Sequence, residues 1–480
     1  MKIAILASEG APYIKSGGLG DVMEALPAAL QRIPGNEVVL ILPYYKKILE
    51  DDRYPVEFVT CFDTQLGWRK QYTGILKLKN RTDGVQVYFL DNLYYFGNRP
   101  GAIYGQLDDG ERFAYFSKAA LEALLHLDFL PDVIQCNDWQ TGLVPVYLAA
   151  EFYPRFPGTK CMFTIHNVEY QGWADGYFFD DVLALPGNWR ACLDLNGGIN
   201  VMKGAIETAH LVTTVSETYA GQLMQSYYAH GMEGILQNAA GKLTGITNGI
   251  DVNTFNPATD PALSCHYDVT SFGNGKAKCK KALQAEVGLP QKPEVPLMVM
   301  VTRLAGHKGL DLLCYIAEKM LREQECQLLI LGTGEPQFEK FFRDLAEAFP
   351  QKVAAEIRFD LGLASRIYAG GDIYLMPSKS EPCGLSQMNA MRYGTVPVVH
   401  ATGGLKDTVP GVDEMGQGGL GFTFQSYNAD DFYWAIQRAL NLYHNHPDEF
   451  YALQKTDMEQ DFSWDKPAGK YMELFQRMIG

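Results

Sequence analysis

The feature that most restricts the fold is an alternation of short β-rich runs with longer stretches of helical apolar spacing, repeated in two series. The runs at residues 3–7, 38–42, 85–90, 133–136, 161–165 and 211–215 are separated by segments such as 22–30, 112–127, 139–150 and 217–227. The pattern resumes with runs at 297–302, 327–331, 355–359, 373–376 and 396–400, and helical stretches at 310–322, 338–349 and 385–393. Several runs are apolar almost throughout, as in strands covered on both faces, so the alternation predicts α/β architecture with parallel sheets flanked by helices. Between the series lie Asn248-Gly249-Ile250-Asp251, Asn256-Pro257-Ala258-Thr259-Asp260-Pro261 and a stretch from Pro290 to Pro296, all rich in turn-forming residues. A chain of 480 residues exceeds one ordinary domain. We read two doubly wound domains joined near residue 250. Sheets of this kind bind ligands at the carboxyl ends of their strands, so two facing domains are expected to set the site in the cleft.

Charge narrows the possible partners. A formal net charge of −15 argues against nucleic acid and against an anionic membrane, which bind through basic surface. No apolar run approaches the ~20 residues of a membrane span. The opening Met1-Lys2-Ile3-Ala4-Ile5-Leu6-Ala7 runs directly into Ser8-Glu9-Gly10 and reads as a buried first strand, not a leader. Nine scattered cysteines without a Cys-x-x-Cys pair suggest neither a disulfide framework nor a zinc site, and point to a reducing, cytoplasmic setting. In so acidic a chain, a phosphorylated substrate demands a local cluster of Lys and Arg.

Three glycine loops follow strand-like runs. The first is Lys15-Ser16-Gly17-Gly18-Leu19-Gly20-Asp21, where glycines allow close backbone approach and the next helix offers unpaired N–H groups, with Lys15 adding a point charge. Pro27, inside that helix, is expected to kink it. The second is Pro377-Ser378-Lys379-Ser380-Glu381-Pro382-Cys383-Gly384-Leu385, with the N–H groups of Gly384 and Leu385 directed at a phosphate. The third is Thr402-Gly403-Gly404-Leu405. None carries the phosphate-loop or dinucleotide fingerprint. Taken singly, each is also consistent with a surface turn.

Arg303 and Lys308 lie in Thr302-Arg303-Leu304-Ala305-Gly306-His307-Lys308-Gly309, behind a strand. When a sugar leaves a nucleoside diphosphate, negative charge grows on the bridging oxygen, and fixed cations there stabilise the transition state. The plainer reading is a solvated pair beside a turn. A metal would do the same work, yet no Asp-x-Asp or histidine cluster has ligand spacing in a suitable loop, and Asp108-Asp109 reads as a helix N-terminus. His166-Asn167 and Asp138-Trp139 sit at strand ends, where a lone histidine is more often structural than catalytic. Tyr94, Tyr95, Trp139, Tyr170 and Trp173 also lie near strand ends; such rings stack on sugar C–H faces, although most aromatics are core.

These segments together resemble the bacterial glycogen synthase and plant starch synthase family. The resemblance spans most of the chain: the Lys15 to Asp21 loop, Cys136-Asn137-Asp138-Trp139, Phe163-Thr164-Ile165-His166-Asn167, and Ile246-Thr247-Asn248-Gly249-Ile250-Asp251. It continues through Asn256-Pro257-Ala258-Thr259-Asp260, Arg303 to Gly309, Glu381-Pro382-Cys383-Gly384-Leu385 and Thr402-Gly403-Gly404-Leu405. It implies a GT-B type fold of two Rossmann-like domains facing across a cleft: residues 1–250 on the acceptor side, 251–455 binding the nucleotide sugar, and a helix in 456–480 returning to the first. The implied reaction is glucosyl transfer from ADP-glucose to the nonreducing 4-hydroxyl of an α-1,4-glucan, with retention and without a metal or other cofactor. Glycogen or starch and the nucleotide sugar are then the partners.

Carried over by motif, Lys15, Gly17, Gly18 and Asp21 belong to the donor-phosphate loop, and Arg303 and Lys308 hold the diphosphate. Cys383, Gly384, Leu385, Thr402, Gly403 and Gly404 form the remaining donor loops. Glu381 contacts the sugar, His166 lies beside the reacting carbon, and Asn248 lines the site with the donor. Asp138, Asn167 and Tyr95 are assigned to the acceptor. The chain departs from the family's usual pattern in Ser16 for Thr, Lys379-Ser380 for Arg-Phe, and Phe255 for Trp. Asn389, eight residues after Glu381, stands where relatives that make sucrose or modify small molecules tend to carry Glu.

Retention admits double displacement through a carboxylate nucleophile, for which Glu381 is the one candidate, or front-face attack within a tight ion pair. The second is favoured, because the resemblance makes Glu381 a sugar contact. Rival readings are a UDP-glucose enzyme or one with another acceptor, a dinucleotide oxidoreductase, and a noncatalytic glucan-binding relative.

Overall fold

The computed structural model describes residues 1–99 and 101–480. The chain divides into two compact units, Met1–Gly249 with Trp464–Gly480, and Ile250–Ser463.

The first unit is built on a nine-stranded sheet. Its strands are β1 (Lys2–Leu6), β2 (Glu37–Pro43), β3 (Val56–Leu66), β4 (Arg69–Leu78), β5 (Gln86–Asp91), β6 (Val133–Asn137) and β7 (Lys160–Ile165). A small separate sheet holds β8 (Trp173–Ala174), β9 (Asp194–Leu195) and β10 (Gly198–Asn200), and the main sheet closes with β11 (Leu211–Thr214) and β12 (Leu243–Gly245). The order is β12-β11-β7-β6-β1-β2-β5-β4-β3. All pairings from β12 to β5 are parallel, and Ile3, Ala4, Ile5 and Leu6 are fully buried, as the apolar runs require.

The second unit carries β13 (Leu297–Val301), β14 (Gln327–Leu331), β15 (Val353–Glu356), β16 (Ile373–Met376), β17 (Val396–His400) and β18 (Phe422–Phe424) in the order β15-β14-β13-β16-β17-β18. All five pairings are parallel. In each unit the first strand is flanked by a strand of either winding direction, β1 between β2 and β6, β13 between β14 and β16. This reversal opens a crevice at the carboxyl ends, where such sheets seat ligands.

Several expectations need correction. Beyond β5 the first sheet turns antiparallel, because the hairpin β3–β4 pairs antiparallel with itself and with β5. Its strands show the half-exposed alternation of a solvent-facing edge, a period-2 signal that a search for buried runs passes over. The run expected at 355–359 is displaced to Val353–Glu356. The helix expected at 139–150 is broken into Trp139–Thr141, Leu143–Tyr147 and Leu148–Phe152, punctuated by Gly142 and Pro145. That at 217–227 splits into Glu217–Gln222 and Ser226–Ala229. Pro27, by contrast, lies inside an uninterrupted helix Gly18–Arg32, whose buried face of Leu19, Val22, Met23, Leu26 and Leu30 outweighs one missing N–H.

The segment that rejoins the first unit begins at Trp464, since helix Pro447–Met458 packs through Phe450 and Leu453 into the second unit's core. Helix Asp465–Ile479 buries Tyr471, Leu474 and Phe475 in the first core. It is tied down by Arg32–Asp465 and Lys470–Glu217 pairs, each 2.7 Å, which are exposed and add little energy.

Candidate functional site

In the first unit, β1 delivers the chain into the loop that ends at helix Gly18–Arg32. Glu9, only 1% exposed, turns its carboxylate into that loop and accepts the N–H groups of Ser16 (2.8 Å), Gly17 (3.1 Å) and Gly20 (3.0 Å). A helix start leaves such donors unpaired and favours an anion beside them; here the anion is a resident side chain. Burial pushes the Glu9 carboxyl above its ordinary range, and the three backbone bonds pull the other way. Lys15 places Nζ 2.6 Å from Asp21 Oδ1, both side chains about one-third exposed. Burial raises Asp21 as well, opposed by Lys15.

Across the crevice β6 presents Asp138, whose backbone sits at φ 56°, ψ 177°. A non-glycine residue there costs on the order of 1–3 kcal/mol and persists only where its surroundings hold it. They do so through three bonds. Asp138 N–H donates to the Thr164 carbonyl (2.9 Å), and Oδ1 accepts the N–H groups of His166 (2.7 Å) and Asn167 (3.3 Å), tying the end of β6 to the end of β7. Burial raises the Asp138 pKa to about 7, with those backbone bonds opposing and the Glu9 charge adding.

His166 Nε2 lies 2.9 Å from Asn137 Oδ1. The Asn137 amide nitrogen donates to the Leu6 carbonyl (3.0 Å), which leaves its oxygen to accept and assigns the hydrogen to Nε2. Burial drops the His166 pKa to about 3, so the ring is uncharged at neutral pH with a lone pair at Nδ1. It supplies no cation. Asn248 is buried, and its side-chain oxygen has no partner among the described residues. Asn167 Oδ1 accepts from Glu169 N–H (3.0 Å).

In the second unit, the loops after β13 and β16 are pressed together. Gly309 has φ +74°, and a Cβ there would stand 1.9 Å from the Pro377 carbonyl oxygen, so only glycine fits. Lys379 N–H donates to the His307 carbonyl at 2.9 Å across the same seam. This apposition sets Lys308 Nζ 2.7 Å from Glu381 Oε2, both largely buried, and Ser378 Oγ donates to the same oxygen at 3.2 Å. Arg303, at the end of β13, is exposed, and among the described residues no carboxylate pairs with it. His400, at the end of β17, holds the Ser378 carbonyl at 2.8 Å from Nδ1 and so anchors the loop carrying Glu381.

The structure thus gathers Lys15, Gly17 and Asp21 at one strand end and Asp138, His166 and Asn167 at its neighbours. It gathers Lys308, Glu381, Cys383, Gly384, Thr402, Gly403 and Gly404 at the strand ends of the second unit, with Arg303 beside them.

Three assignments change. Tyr95 is fully buried among Phe96 and Tyr115, with its hydroxyl donating to Glu111 Oε1 at 2.6 Å, so it reaches no acceptor; its neighbour Tyr94 is the exposed ring. The Gly17 amide is taken by Glu9 and is not open to phosphate. Gly404 N–H donates to the carbonyls of Glu381 (3.1 Å) and Pro382 (3.2 Å), because its Cα packs against Cys383 too closely for any side chain. No acceptor is found for the N–H groups of Gly384 and Leu385 among the described residues, and Gly384 has φ +73°. Asp108 heads helix Asp109–His126 as expected, paired with Arg99.

Sequence reasoning missed Glu9, Asn137, Ser378 and His400. A carboxylate just ahead of a glycine-rich helix start is a readable signal for Glu9. Asn137 and Ser378 stand within the Cys136–Trp139 and Pro377–Leu385 motifs, but their roles, like that of His400, are set by tertiary contacts that the sequence does not show.

Among the described residues, no three His, Cys, Asp or Glu side chains are grouped as a metal site, and no helix is long and apolar enough to cross a membrane.

The chain matches two family models, "Starch synthase catalytic domain" over residues 2–238 and "Glycosyl transferases group 1" over residues 283–452. It is 45% identical over 482 residues to a glycogen synthase of Exiguobacterium sibiricum, covering 99% of each chain. It is 43% identical over 483 residues to one of Streptococcus pneumoniae, covering 100% of each. Among solved structures, the catalytic domain of Arabidopsis thaliana starch synthase IV, bound to ADP and acarbose, superposes with a TM-score of 0.91 at 34% identity. That match covers 100% of this chain and 99% of that one. A sucrose-phosphate synthase from Thermosynechococcus elongatus, at 19% identity and TM-score 0.61, shares the fold.

Proposed function

The chain belongs to the glycogen synthase and starch synthase family of glycosyltransferases, with the GT-B fold, and on that premise we propose that it transfers glucose from ADP-glucose to the nonreducing 4-hydroxyl of an α-1,4-glucan, with retention of configuration. The observation that carries the reading is the cationic strand end of the second unit, where Lys308 is locked to Glu381 at 2.7 Å beside the exposed Arg303. Starch synthase IV was solved with ADP and acarbose, which supports an ADP-linked donor here.

In this reading Arg303 and Lys308 hold the diphosphate and meet the charge that grows on the bridging oxygen as the sugar departs. No metal enters the proposed step, since the Arg303 guanidinium and the Lys308 ammonium do that work. Glu381, oriented by Lys308 and Ser378, contacts the glucose. Gly384 and Leu385 offer their N–H groups to phosphate, with Cys383, Thr402, Gly403 and Gly404 shaping the remaining donor surface. Asn248 has a buried oxygen to spend on the same ligand. Lys15 and Asp21 belong to the donor loop of the first unit. Asp138 and Asn167 serve the acceptor, and neutral His166 lies at the reacting sugar as a hydrogen-bonding wall, not as an acid. Attack proceeds from the front face within an ion pair, the leaving phosphate taking the acceptor proton. Trapping a glucosyl ester on Glu381 with a slow donor would overturn that route.

The test of the activity is to incubate the protein with radiolabelled ADP-glucose or UDP-glucose, glycogen and a chelator, and count precipitable label. Label from ADP-glucose is expected. Label from UDP-glucose alone, or none, rejects the proposal.

A further inference from the structure

The Lys15 loop has the outward form of an anion site, a glycine turn leading into a helix of fifteen residues. Its interior contradicts that form. Three of the N–H groups a phosphate would use, those of Ser16, Gly17 and Gly20, already end on the Glu9 carboxylate. Glu9 is fixed in turn, being buried at the end of β1 beside Ser8, whose hydroxyl bonds Tyr104 at 2.7 Å and whose carbonyl accepts from Tyr45 at 2.9 Å. Lys15 immediately precedes the first of the three bonded amides, and its side-chain stem packs against Gly20, where a Cβ would come within 2.9 Å of Lys15 Cγ. The carboxylate therefore fixes the backbone that directly follows Lys15 and the Gly20 turn against which its stem packs.

We propose that Glu9 is a positioning residue for the nucleotide-sugar donor. It occupies the helix N-terminus as a resident anion, takes the amides of Ser16, Gly17 and Gly20, and so holds the loop in the form that presents the Lys15 ammonium to donor phosphate, with the Gly18 amide outside the cradle. The inference rests on the reading of Lys15 as a donor contact. It differs from an ordinary helix cap in its consequence, because a cap that only stabilised the fold would leave substrate constants untouched.

The test compares Glu9→Gln, Lys15→Ala and the double variant in the glucan transfer assay with varied donor and varied glycogen. Glutamine keeps the shape but turns one N–H-bearing end toward backbone donors, breaking the carboxylate cradle. Donor KM is expected to rise at least about tenfold in Glu9→Gln, on the scale of losing charge-assisted bonds, with glycogen KM within about twofold. In the Lys15→Ala background the same change should add less than about threefold, the mark of two residues acting as one. An unchanged donor KM, or effects that multiply fully in the double variant, overturns the proposal. If the wild-type chain transfers no glucose from any donor, it is the functional reading that falls. Hydrogen exchange on the wild-type protein guards against misfolding of the variant. The exposed amides of Ser16 and Gly17 should be strongly protected, and exchange at free-loop rates contradicts the cradle.

Discussion

The two units end their parallel strands in opposite ways. In the first, the strand-end groups are acidic or neutral and desolvated: Glu9 and Asp138 with raised carboxyl pKa values, and His166 held uncharged. The cation of its glycine loop, Lys15, is paired with Asp21. In the second, the strand ends pair Lys308 with the buried carboxylate of Glu381 and leave Arg303 exposed just past β13. The contrast teaches that similar sheets and similar glycine loops do not make similar sites. A loop's amides bind an outside anion only if no side chain has reached them first. By that measure the second unit keeps an exposed Arg303 and, among the described residues, unengaged Gly384 and Leu385 amides at its strand ends, whereas the first has already spent three loop amides on Glu9.

The sharpest way to break this division is Arg303→Ala. Turnover should fall by at least about 100-fold, the scale of losing one preorganised transition-state donor, as measured by label transfer at saturating donor. Near-normal turnover would remove the cationic role from the second unit. Gly309→Ala attacks the same site through its scaffold. Overlap with the Pro377 carbonyl must separate the two loops and pull Lys308 from Glu381. We expect roughly tenfold lower kcat/KM and a melting temperature about 5 °C lower, from an overpacking cost of about 2 kcal/mol.

How much of this was legible beforehand follows from what each residue interacts with. Buried parallel strands advertise themselves as short apolar runs, so β1, β6, β13, β16 and β17 and the loops behind them were readable. The hairpin β3–β4 was not, since its half-exposed faces carry Lys, Arg and Gln among the apolar residues. Arg303 and Lys308 could be picked out by chemistry and position. The partner of Lys308 could not, because 73 residues separate it from Glu381 and the two meet through tertiary contacts, the packing of Gly309 on Pro377 and the Lys379–His307 backbone bond. Tyr94 and Tyr95 both lie near a strand end, and sequence alone does not say which ring faces out; Tyr94 does and Tyr95 does not, a choice of face made by the core aromatics Phe96 and Tyr115.

The desolvated character of the first unit gives a pH-dependent prediction. Burial raises Asp138 from an ordinary 3.8 to about 7, so the folded chain keeps a proton that the unfolded chain releases at lower pH. Between those values the folded state binds more protons, and the group's contribution to stability falls as pH rises, levelling above about 7. His166, lowered to about 3, contributes the opposite slope below its ordinary 6.5 and largely cancels when two proteins are compared. Asp138→Asn removes the titration. Its melting temperature relative to wild type should therefore climb between pH 4 and 7, by at least about 2 °C, and stay flat above. A gap that does not change with pH would show that Asp138 is not desolvated. The smallest effect is expected from Tyr95→Phe, which loses the bond to Glu111. Stability should drop by about 1 kcal/mol while the glycogen KM is unchanged. A raised glycogen KM would return Tyr95 to the acceptor.

The central claim is that the cationic strand ends of the second unit carry the diphosphate. A crystal structure of the chain with ADP tests it most directly. The Arg303 guanidinium and Lys308 ammonium should lie within about 3 Å of diphosphate oxygens. A diphosphate seated elsewhere, with Arg303 left in solvent and Lys308 held only by Glu381, would contradict the account.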